Sequence, residues 1–418
     1  MTTALRFFYR RVYVTGLETI AKEGPAIIIA NHTSSLMDAA LLGVLIERPV
    51  HFFTRADVFS GKLFSKILNA LNMIPISNHE AGRNTLSSNK DSYSKAEQIL
   101  ANGGIVVFFP EGISHIERRI MPLRKGVFRL AFQWAVRDNF QNNIPVIPTG
   151  INYSHPFACQ ADVMIHFGTP LLLNDYKEEY LLNEAATLLH ITKDSYAAIQ
   201  KNALFVKDAA KYDLVENCLR IKRNDYSFFT RQWMQGTRKR LEEEKFICSN
   251  IDELLSFEQS DLQKNNKDYF EMLQLYNIRD KALSPLFKFS CCKKLMLFVG
   301  SPFFILGYLL NCLPIKVAKK ITDTRVYRLD FYSWIFVSCA AFFYLVWLLA
   351  LFLSFIGPGW PYAICIVLIT ISGGIFAQHY LQCYNDYIQV KRLDKLQHKN
   401  PAIIKQLKEK RRRIIEMI

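Results

Sequence analysis

His32 and Asp38, in the segment "NHTSSLMDAALL" (residues 31–42), are the residues whose types and spacing most directly suggest chemistry. An imidazole can take a proton from a hydroxyl group if a carboxylate fixes its tautomer. A step of six residues does not place two side chains on one helix face, so the pair can meet only if the turn folds back. The segment predicts a general base, and a structural or capping histidine is the alternative.

The elements around His32 predict where its side chain lies. Residues 25–30 are short, β-branched and apolar, which is typical of a buried strand, and residues 36–45 repeat apolar side chains at helical spacing. His32 is therefore expected at a strand-to-helix turn. Side chains in such a turn emerge into solvent or a cleft.

A second group of polar residues follows the apolar stretch 104–109, in "FFPEGISH" (108–115). The turn places Glu111 and Gly112 at a carboxyl edge of the predicted sheet, where open α/β sheets bind ligands. Farther along, Arg124 and Lys125 in "ERRIMPLRKG" can bind a phosphate, since basic side chains match its oxygens. The alternatives are a plain turn with a solvated glutamate and a solvated basic loop.

Up to about residue 215, short apolar runs alternate with helical patterns, which predicts an α/β domain with a mixed sheet flanked by helices. The clearest elements are strands at 50–53, 73–76, 105–109, 145–151 and 163–167, and helices at 87–100 and 125–136.

The composition divides the chain into four parts. We expect a catalytic α/β domain at 1–215, which begins with an interfacial segment or an ordinary helix at 1–11. A charged helical connector is expected at 216–287, a membrane segment at 288–390 and a basic cytoplasmic tail at 391–418.

Three stretches, at 295–314, 333–356 and 361–381, contain no Asp, Glu, Lys or Arg. Each is about 20 residues or longer, enough to cross a bilayer as a helix. Lysines flank the first stretch on both sides, and Gly300, Pro302 and Pro314 interrupt or end it. We therefore expect a re-entrant or interfacial hairpin there, and a true transmembrane hairpin from the other two.

The formal charge of +15 favours an anionic partner, and the chain lacks the motifs of nucleic-acid-binding domains. Nine cysteines without metal-like spacing predict reduced thiols, and so a catalytic domain on the cytoplasmic face. The three apolar stretches predict an integral membrane protein. Membrane lipids are the expected partners, and no nucleic acid is expected.

His-x5-Asp, Phe-Pro-Glu-Gly and the Val-Ile-Pro-Thr-Gly strand (146–150) resemble, in their order, the four-block glycerolipid acyltransferase family, which includes glycerol-3-phosphate and 1-acylglycerol-3-phosphate acyltransferases. The resemblance covers residues 5–215. It implies acyl transfer from a thioester of coenzyme A or acyl carrier protein to a glycerol phosphate or lysophosphatidate, with no metal and no other cofactor. It implies that His32 is the base and that Asp38 orients it. Backbone N–H groups of the His32 turn are candidates to bind the oxyanion. Glu111, Gly112, Arg83, Arg124 and Lys125 are the expected acceptor-binding residues.

Three features depart from the family pattern. Five residues rather than four separate His32 from Asp38, Ser77 and Asn78 stand where the second block usually has arginine, and Ile113-Ser114-His115 replaces the usual Thr-Arg. We expect 1-acylglycerol-3-phosphate as the acceptor, with glycerol 3-phosphate or another lysophospholipid as the alternative. A non-catalytic lipid-binding protein is the competing class, and a transporter is less well supported by the few spans.

Overall fold

The computed structural model describes residues 2–59, 61–77, 89–226, 233–357 and 359–418. The chain forms two compact units. The first comprises Met1–Phe205, Gln232–Lys245 and Arg328–Trp334, and the second comprises Val206–Arg231, Phe246–Tyr327 and Ile335–Ile418. The sequence boundaries at 215 and 287 therefore differ from the structural ones, because the chain returns twice to the first unit.

A single mixed sheet organises the first unit, as the sequence predicted. Its strands, within the described ranges, are β1 (Tyr9–Thr15), β2 (Ala26–Ala30), β3 (Val50–Arg55), β4 (Met73–Ile76), β5 (Ile105–Phe108), β6 (Pro145–Tyr153), β7 (Ala161–Phe167), β8 (Leu171–Leu172) and β9 (Met234–Gln235). Their order is β4-β3-β5-β2-β6-β7-β1-β9, and β8 pairs with β6. The strands from β4 to β6 in this order are parallel, and the direction reverses between β6 and β7.

Strands β2 and β5 lie side by side in the middle of the sheet, and every residue in both is buried. Continuous Ile and Val runs suit this place, because helices cover both faces of a parallel sheet and leave no face for polar residues. The parallel pairing brings the carboxyl ends of β2 and β5 to the same edge. His32 and Glu111 follow these two ends.

The N-terminal segment differs from the prediction of an interfacial anchor. Residues Thr2–Phe8 form helix α1, and the chain continues directly into β1, which pairs in parallel with β7. Leu5 and Tyr9 are fully buried in the first unit. The aromatic and basic residues that suggested a membrane surface belong to an ordinary helix and strand, and β1 itself was not predicted.

The remaining helices complete the two units. They are α2 (Leu36–Leu45), α3 (Lys62–Ala70), α4 (Lys90–Ala101), α5 (Gly126–Arg137), α6 (Lys177–Leu182), α7 (Glu184–Asn202), α8 (Tyr212–Asn224), α9 (Lys239–Glu253), α10 (Ser256–Leu275), α11 (Cys291–Val299), α12 (Ser301–Arg325), α13 (Leu329–Ser354), α14 (Trp360–Lys399) and α15 (Pro401–Met417). Helices α4 and α5 match the predicted ones closely. In α5, Phe128 and Phe132 are fully buried on the face toward the core.

The basic C-terminal segment is not a free tail. It forms the end of α14 and the helix α15, in which Arg411 is buried. The Arg411 guanidinium lies 2.9 Å from Asp280 and 2.7 Å from Asp225. A buried cation is stable only when it is paired, so these contacts fix α15 within the second unit.

Among the described residues, three helices are long and apolar enough to cross a membrane: α12, α13 and α14. They suggest membrane association. Within the second unit α12 and α14 run antiparallel, since the ring of Phe304 stacks on that of Tyr380 and Asn311, farther along α12, donates to the carbonyl of Thr370. Gly307 and Gly373 touch between them, which allows close backbone approach.

The prediction of a hairpin in the first apolar stretch is wrong, because α12 continues without a turn through Pro314 to Arg325. A proline in a helix leaves the carbonyl four residues earlier without its N–H donor. Here that carbonyl belongs to Leu310, and the indole Nε1 of Trp347 donates to it at 2.7 Å. The substituted hydrogen bond explains why the helix does not end at Pro314.

We predict that Gly307→Leu destabilises the second unit by about 1–3 kcal/mol, since a β-carbon at Gly307 would lie 2.3 Å from the carbonyl oxygen of Gly373. Thermal unfolding in detergent measures the effect. Leu306→Ala is the matched control, because Leu306 is an exposed residue of the same helix. Equal melting temperatures for both variants would contradict the close packing.

Candidate active site

The His32 turn connects β2 to α2 and is tied to the neighbouring strand β6. The side chain of Asn31 donates to the carbonyl of Ile151 at 2.9 Å and accepts from the N–H of Ile151 at 2.7 Å. The Asn31 side chain thus pairs with the Ile151 backbone as a residue of a neighbouring strand would. It fixes the start of the turn relative to the sheet.

His32 and Asp38 are in contact, as the sequence predicted. Nδ1 of His32 lies 2.9 Å from Oδ2 of Asp38. Because an ionised carboxylate only accepts, Nδ1 carries the proton and Nε2 keeps its lone pair. The imidazole is 17% exposed and stacks on the ring of Phe109, with centroids 4.1 Å apart. This arrangement leaves Nε2 available as a base.

Five residues separate His32 from Asp38, one more than is usual in the family. The turn accommodates the extra residue because Ser35 adopts a positive φ of 43°. This conformation is uncommon for residues other than glycine and places Asp38 in the first turn of α2. The Asp38 carboxylate is fully buried and also accepts from the N–H groups of Thr33 and Ser34, each at 2.9 Å. These bonds offset the cost of the strain at Ser35.

Tyr153, at the end of β6, donates a fourth hydrogen bond to Asp38, at 2.5 Å. Burial and the nearby carboxylate raise the pKa of Tyr153 well above its ordinary value, so its hydroxyl keeps its proton. Sequence reasoning missed this residue. An alternating strand gives no sign that one tyrosine faces a carboxylate from another element.

Glu111 lies beside the turn but is buried, and it is not among the residues that line the cavity next to His32. Its Oε1 accepts from the backbone N–H of His32 at 2.9 Å. Its Oε2 accepts from Nε2 of His115 and the N–H of Met121, both at 2.7 Å. The structure therefore places Glu111 as a support of the His32 turn rather than in the position expected for contact with an acceptor.

The backbone N–H groups expected to bind an oxyanion are already engaged. The N–H of His32 points to Glu111, and those of Thr33 and Ser34 point to Asp38. The expectation for these three groups is therefore wrong. The physical reason is that two buried carboxylates need donors, and the nearest amides supply them.

Gly112 adopts a positive φ of 74° and packs against Arg124. A β-carbon at Gly112 would lie 2.6 Å from Nε of Arg124 and would displace this side chain, and the positive φ itself favours glycine. Arg124 is further held by its own N–H, which donates to the carbonyl of Pro110 at 2.8 Å. The two turns thus bring one basic side chain to the wall of a cavity that His32 also lines.

A cavity of about 1340 Å³ opens beside His32 at the carboxyl edge of the sheet. Its wall combines aromatic and aliphatic side chains with seven Lys or Arg residues and, among the described residues, a single carboxylate, Glu97. The basic residues are Arg55, Lys90, Arg124, Lys125, Arg129, Arg137 and Arg328. Such a wall suits a molecule with both an apolar chain and phosphate groups.

The predicted site residues thus separate into groups. His32, Gly112, Arg124 and Lys125 line the cavity, whereas Asp38 and Glu111 support it from the buried side. Arg83 lies outside the described residues.

Sequence reasoning missed the contribution of the segment 328–334, since nothing in its pattern links it to Ser114 and Pro156, which lie 216 and 177 residues before their partners in the segment. No group of three His, Cys, Asp or Glu side chains in the described parts of the chain could hold a metal ion.

Comparison with known proteins agrees with the resemblance to acyltransferases that the sequence motifs suggested. A family model described as "Acyltransferase" matches residues 11–152. An uncharacterized acyltransferase of Schizosaccharomyces pombe is 21% identical over 57% of this chain and 37% of its own length. Glycerol-3-phosphate O-acyltransferase 1 of Saccharomyces cerevisiae is 31% identical over 19% and 10% of the two chains. The chloroplastic 1-acyl-sn-glycerol-3-phosphate acyltransferase LPAT1 of Arabidopsis thaliana is 23% identical over 45% and 50%.

The matched segments span half or less of these curated relatives. The family model covers His32, Asp38 and Glu111, three of the residues on which the sequence resemblance rests, together with the elements that position them. The sequence resemblance is therefore confirmed: residues 11–152 match the acyltransferase family model, and the similar proteins include acyltransferases named for glycerol 3-phosphate and for 1-acyl-sn-glycerol-3-phosphate.

Proposed function

We propose that the protein transfers a fatty acyl group from a thioester of coenzyme A or acyl carrier protein to the free hydroxyl of 1-acylglycerol-3-phosphate. The observation that carries the proposal is the His32–Asp38 pair on the wall of a large basic and apolar cavity. A proton acceptor, an apolar surface and a positive field are the three requirements of this reaction.

In the proposed mechanism, Nε2 of His32 takes the proton of the acceptor hydroxyl as its oxygen attacks the thioester carbonyl. The tetrahedral intermediate then collapses, the carbon–sulfur bond breaks and the thiolate takes the proton from the imidazolium. The products are an ester and a free thiol. Asp38 holds the ring with Nδ1 protonated and stabilises the positive charge that forms on it.

The cavity volume of about 1340 Å³ supports an acceptor that already carries an acyl chain. A glycerol phosphate alone would leave most of this apolar wall uncovered. Glycerol 3-phosphate is the second candidate, since the similar proteins include acyltransferases named for each of the two acceptors.

We also propose that the catalytic unit faces the cytoplasm, where thioester donors are available. The nine cysteines are all free in the structure, which supports a reducing compartment. Protease access to the unit in sealed cells compared with permeabilised cells tests this. Cleavage in sealed cells would contradict it.

His32→Ala is expected to lower kcat about 10²–10⁴-fold, because it removes the proton acceptor. Asp38→Asn should also lower kcat strongly, since an amide cannot hold the charged ring. Turnover is measured with a radiolabelled acyl donor and purified protein. His190→Ala, at an exposed histidine of the same unit, is the control and should keep full turnover. Wild-type rates for His32→Ala would remove His32 as the base.

Glu111→Gln is expected to destabilise the first unit by about 1–3 kcal/mol and to lower kcat with little change in KM. An amide group brings its own donors, so the N–H groups that now point to Glu111 lose an acceptor. Thermal unfolding and steady-state kinetics measure the two effects. An increase in acceptor KM with unchanged stability would instead show that Glu111 contacts the acceptor.

A mixed pool of acceptors should reveal the preference for lysophosphatidate. We expect phosphatidic acid as the main product when the purified protein receives 1-acylglycerol-3-phosphate, glycerol 3-phosphate and other lysophospholipids together. Mass spectrometry of the lipids identifies the product. Lysophosphatidate as the main product would favour the second candidate, and lipid binding without any product would favour the non-catalytic alternative.

A further inference from the structure

The segment Arg328–Trp334, which consists of Arg328 and the first residues of the apolar helix α13, belongs to the first compact unit. Two hydroxyl groups fix it there. The Ser114 hydroxyl donates to the carboxylate of Asp330, and the Ser333 hydroxyl donates to the carbonyl of Pro156 at 2.7 Å. Asp330 and Ser333 are both buried. The segment is therefore a fixed part of the wall around the candidate site.

Arg328 is the first residue of this segment and lines the cavity. Its Nε and Nη2 donate to the two carboxylate oxygens of Asp330, at 3.2 and 2.7 Å, and Nη2 lies 3.4 Å from the carbonyl oxygen of Ser114. The guanidinium also lies 4.9 Å from the ring centre of Phe331. These contacts hold one edge of the guanidinium and fix its plane.

These contacts leave the Nη1 edge of the guanidinium without a protein partner among the described residues. The side chain of Arg328 is 53% exposed. A fixed guanidinium loses little conformational freedom when it binds an anion, which favours affinity. Asp330 pairs with Arg328, but the six further basic residues on the cavity wall keep the wall positive toward an anion.

We propose that Arg328 binds a phosphate group of a substrate in the cavity. The proposal rests on the proposed function. Arg328 lies far outside the family match at residues 11–152, so neither the four blocks nor the family model assigns it. The phosphate belongs either to the glycerol phosphate acceptor or to the coenzyme A donor, and the chemistry of recognition is the same for both.

Steady-state kinetics of the full chain in detergent micelles test the proposal and identify the source. Arg328→Ala should raise by about 10-fold or more the KM for the substrate whose phosphate Arg328 binds, because a charge-assisted hydrogen bond is lost. Arg328→Lys keeps the charge and should show an intermediate KM. Arg325→Ala is the matched control, since Arg325 does not line the cavity.

The acceptor and the donor are varied separately, so an increase in one KM alone names the bound phosphate. In addition, when monoacylglycerol replaces 1-acylglycerol-3-phosphate, the difference between wild type and Arg328→Ala should vanish if the acceptor phosphate is the ligand. Unchanged KM values for both substrates overturn the proposal. A lower melting temperature with reduced kcat and unchanged KM also overturns it, since it indicates a structural role.

Equilibrium binding separates a failure of this proposal from a failure of the proposed function. Radiolabelled 1-acylglycerol-3-phosphate and acyl-coenzyme A are each bound to wild type and to Arg328→Ala in micelles. If the wild type transfers no acyl group but binds one of them more tightly than the variant, the proposed function fails and the role of Arg328 stands. Equal binding of both ligands by the two proteins overturns the role of Arg328.

Discussion

The carboxylate of Asp38 is fully buried and accepts four hydrogen bonds. The donors come from the His32 ring, from two amides of the turn and from Tyr153 on another strand. A buried charge without such partners would cost several kcal/mol, so the turn has little freedom to adopt another shape. The uncommon conformation of Ser35 and the orientation of the imidazole both follow from satisfying this one group.

Glu111 repeats the same physical pattern on the neighbouring strand. It is buried, accepts from the amide of His32 and from two groups of its own loop, and so joins the ends of β2 and β5. The two carboxylates together occupy the amides of the turn. The polar side of the site is thereby rigid, and the cavity beyond it presents basic and apolar side chains to a ligand.

Buried polar groups in the apolar helices of the second unit also need hydrogen-bond partners. The carbonyl of Leu310 that Pro314 leaves unpaired accepts from Trp347, and the amide of Asn311 bonds to carbonyls of Gly307 and Thr370. Contact between Gly307 and Gly373 brings the two backbones close enough for these bonds. Polar groups in apolar helices therefore serve packing here, because an unpaired group in such surroundings would be costly.

The sequence by itself determined the mixed α/β sheet, the apolar helices and the meeting of His32 with Asp38, because these depend on local periodicity and on a short turn. Tertiary structure alone decided that Tyr153 reaches Asp38, that Glu111 supports the turn and that residues 328–334 join the cavity wall. It also decided that α12 passes through Pro314 and that Arg411 is buried between two aspartates. Each of these features depends on a partner that is distant in sequence. A buried polar group must form hydrogen bonds, but the sequence does not show which distant residue forms them.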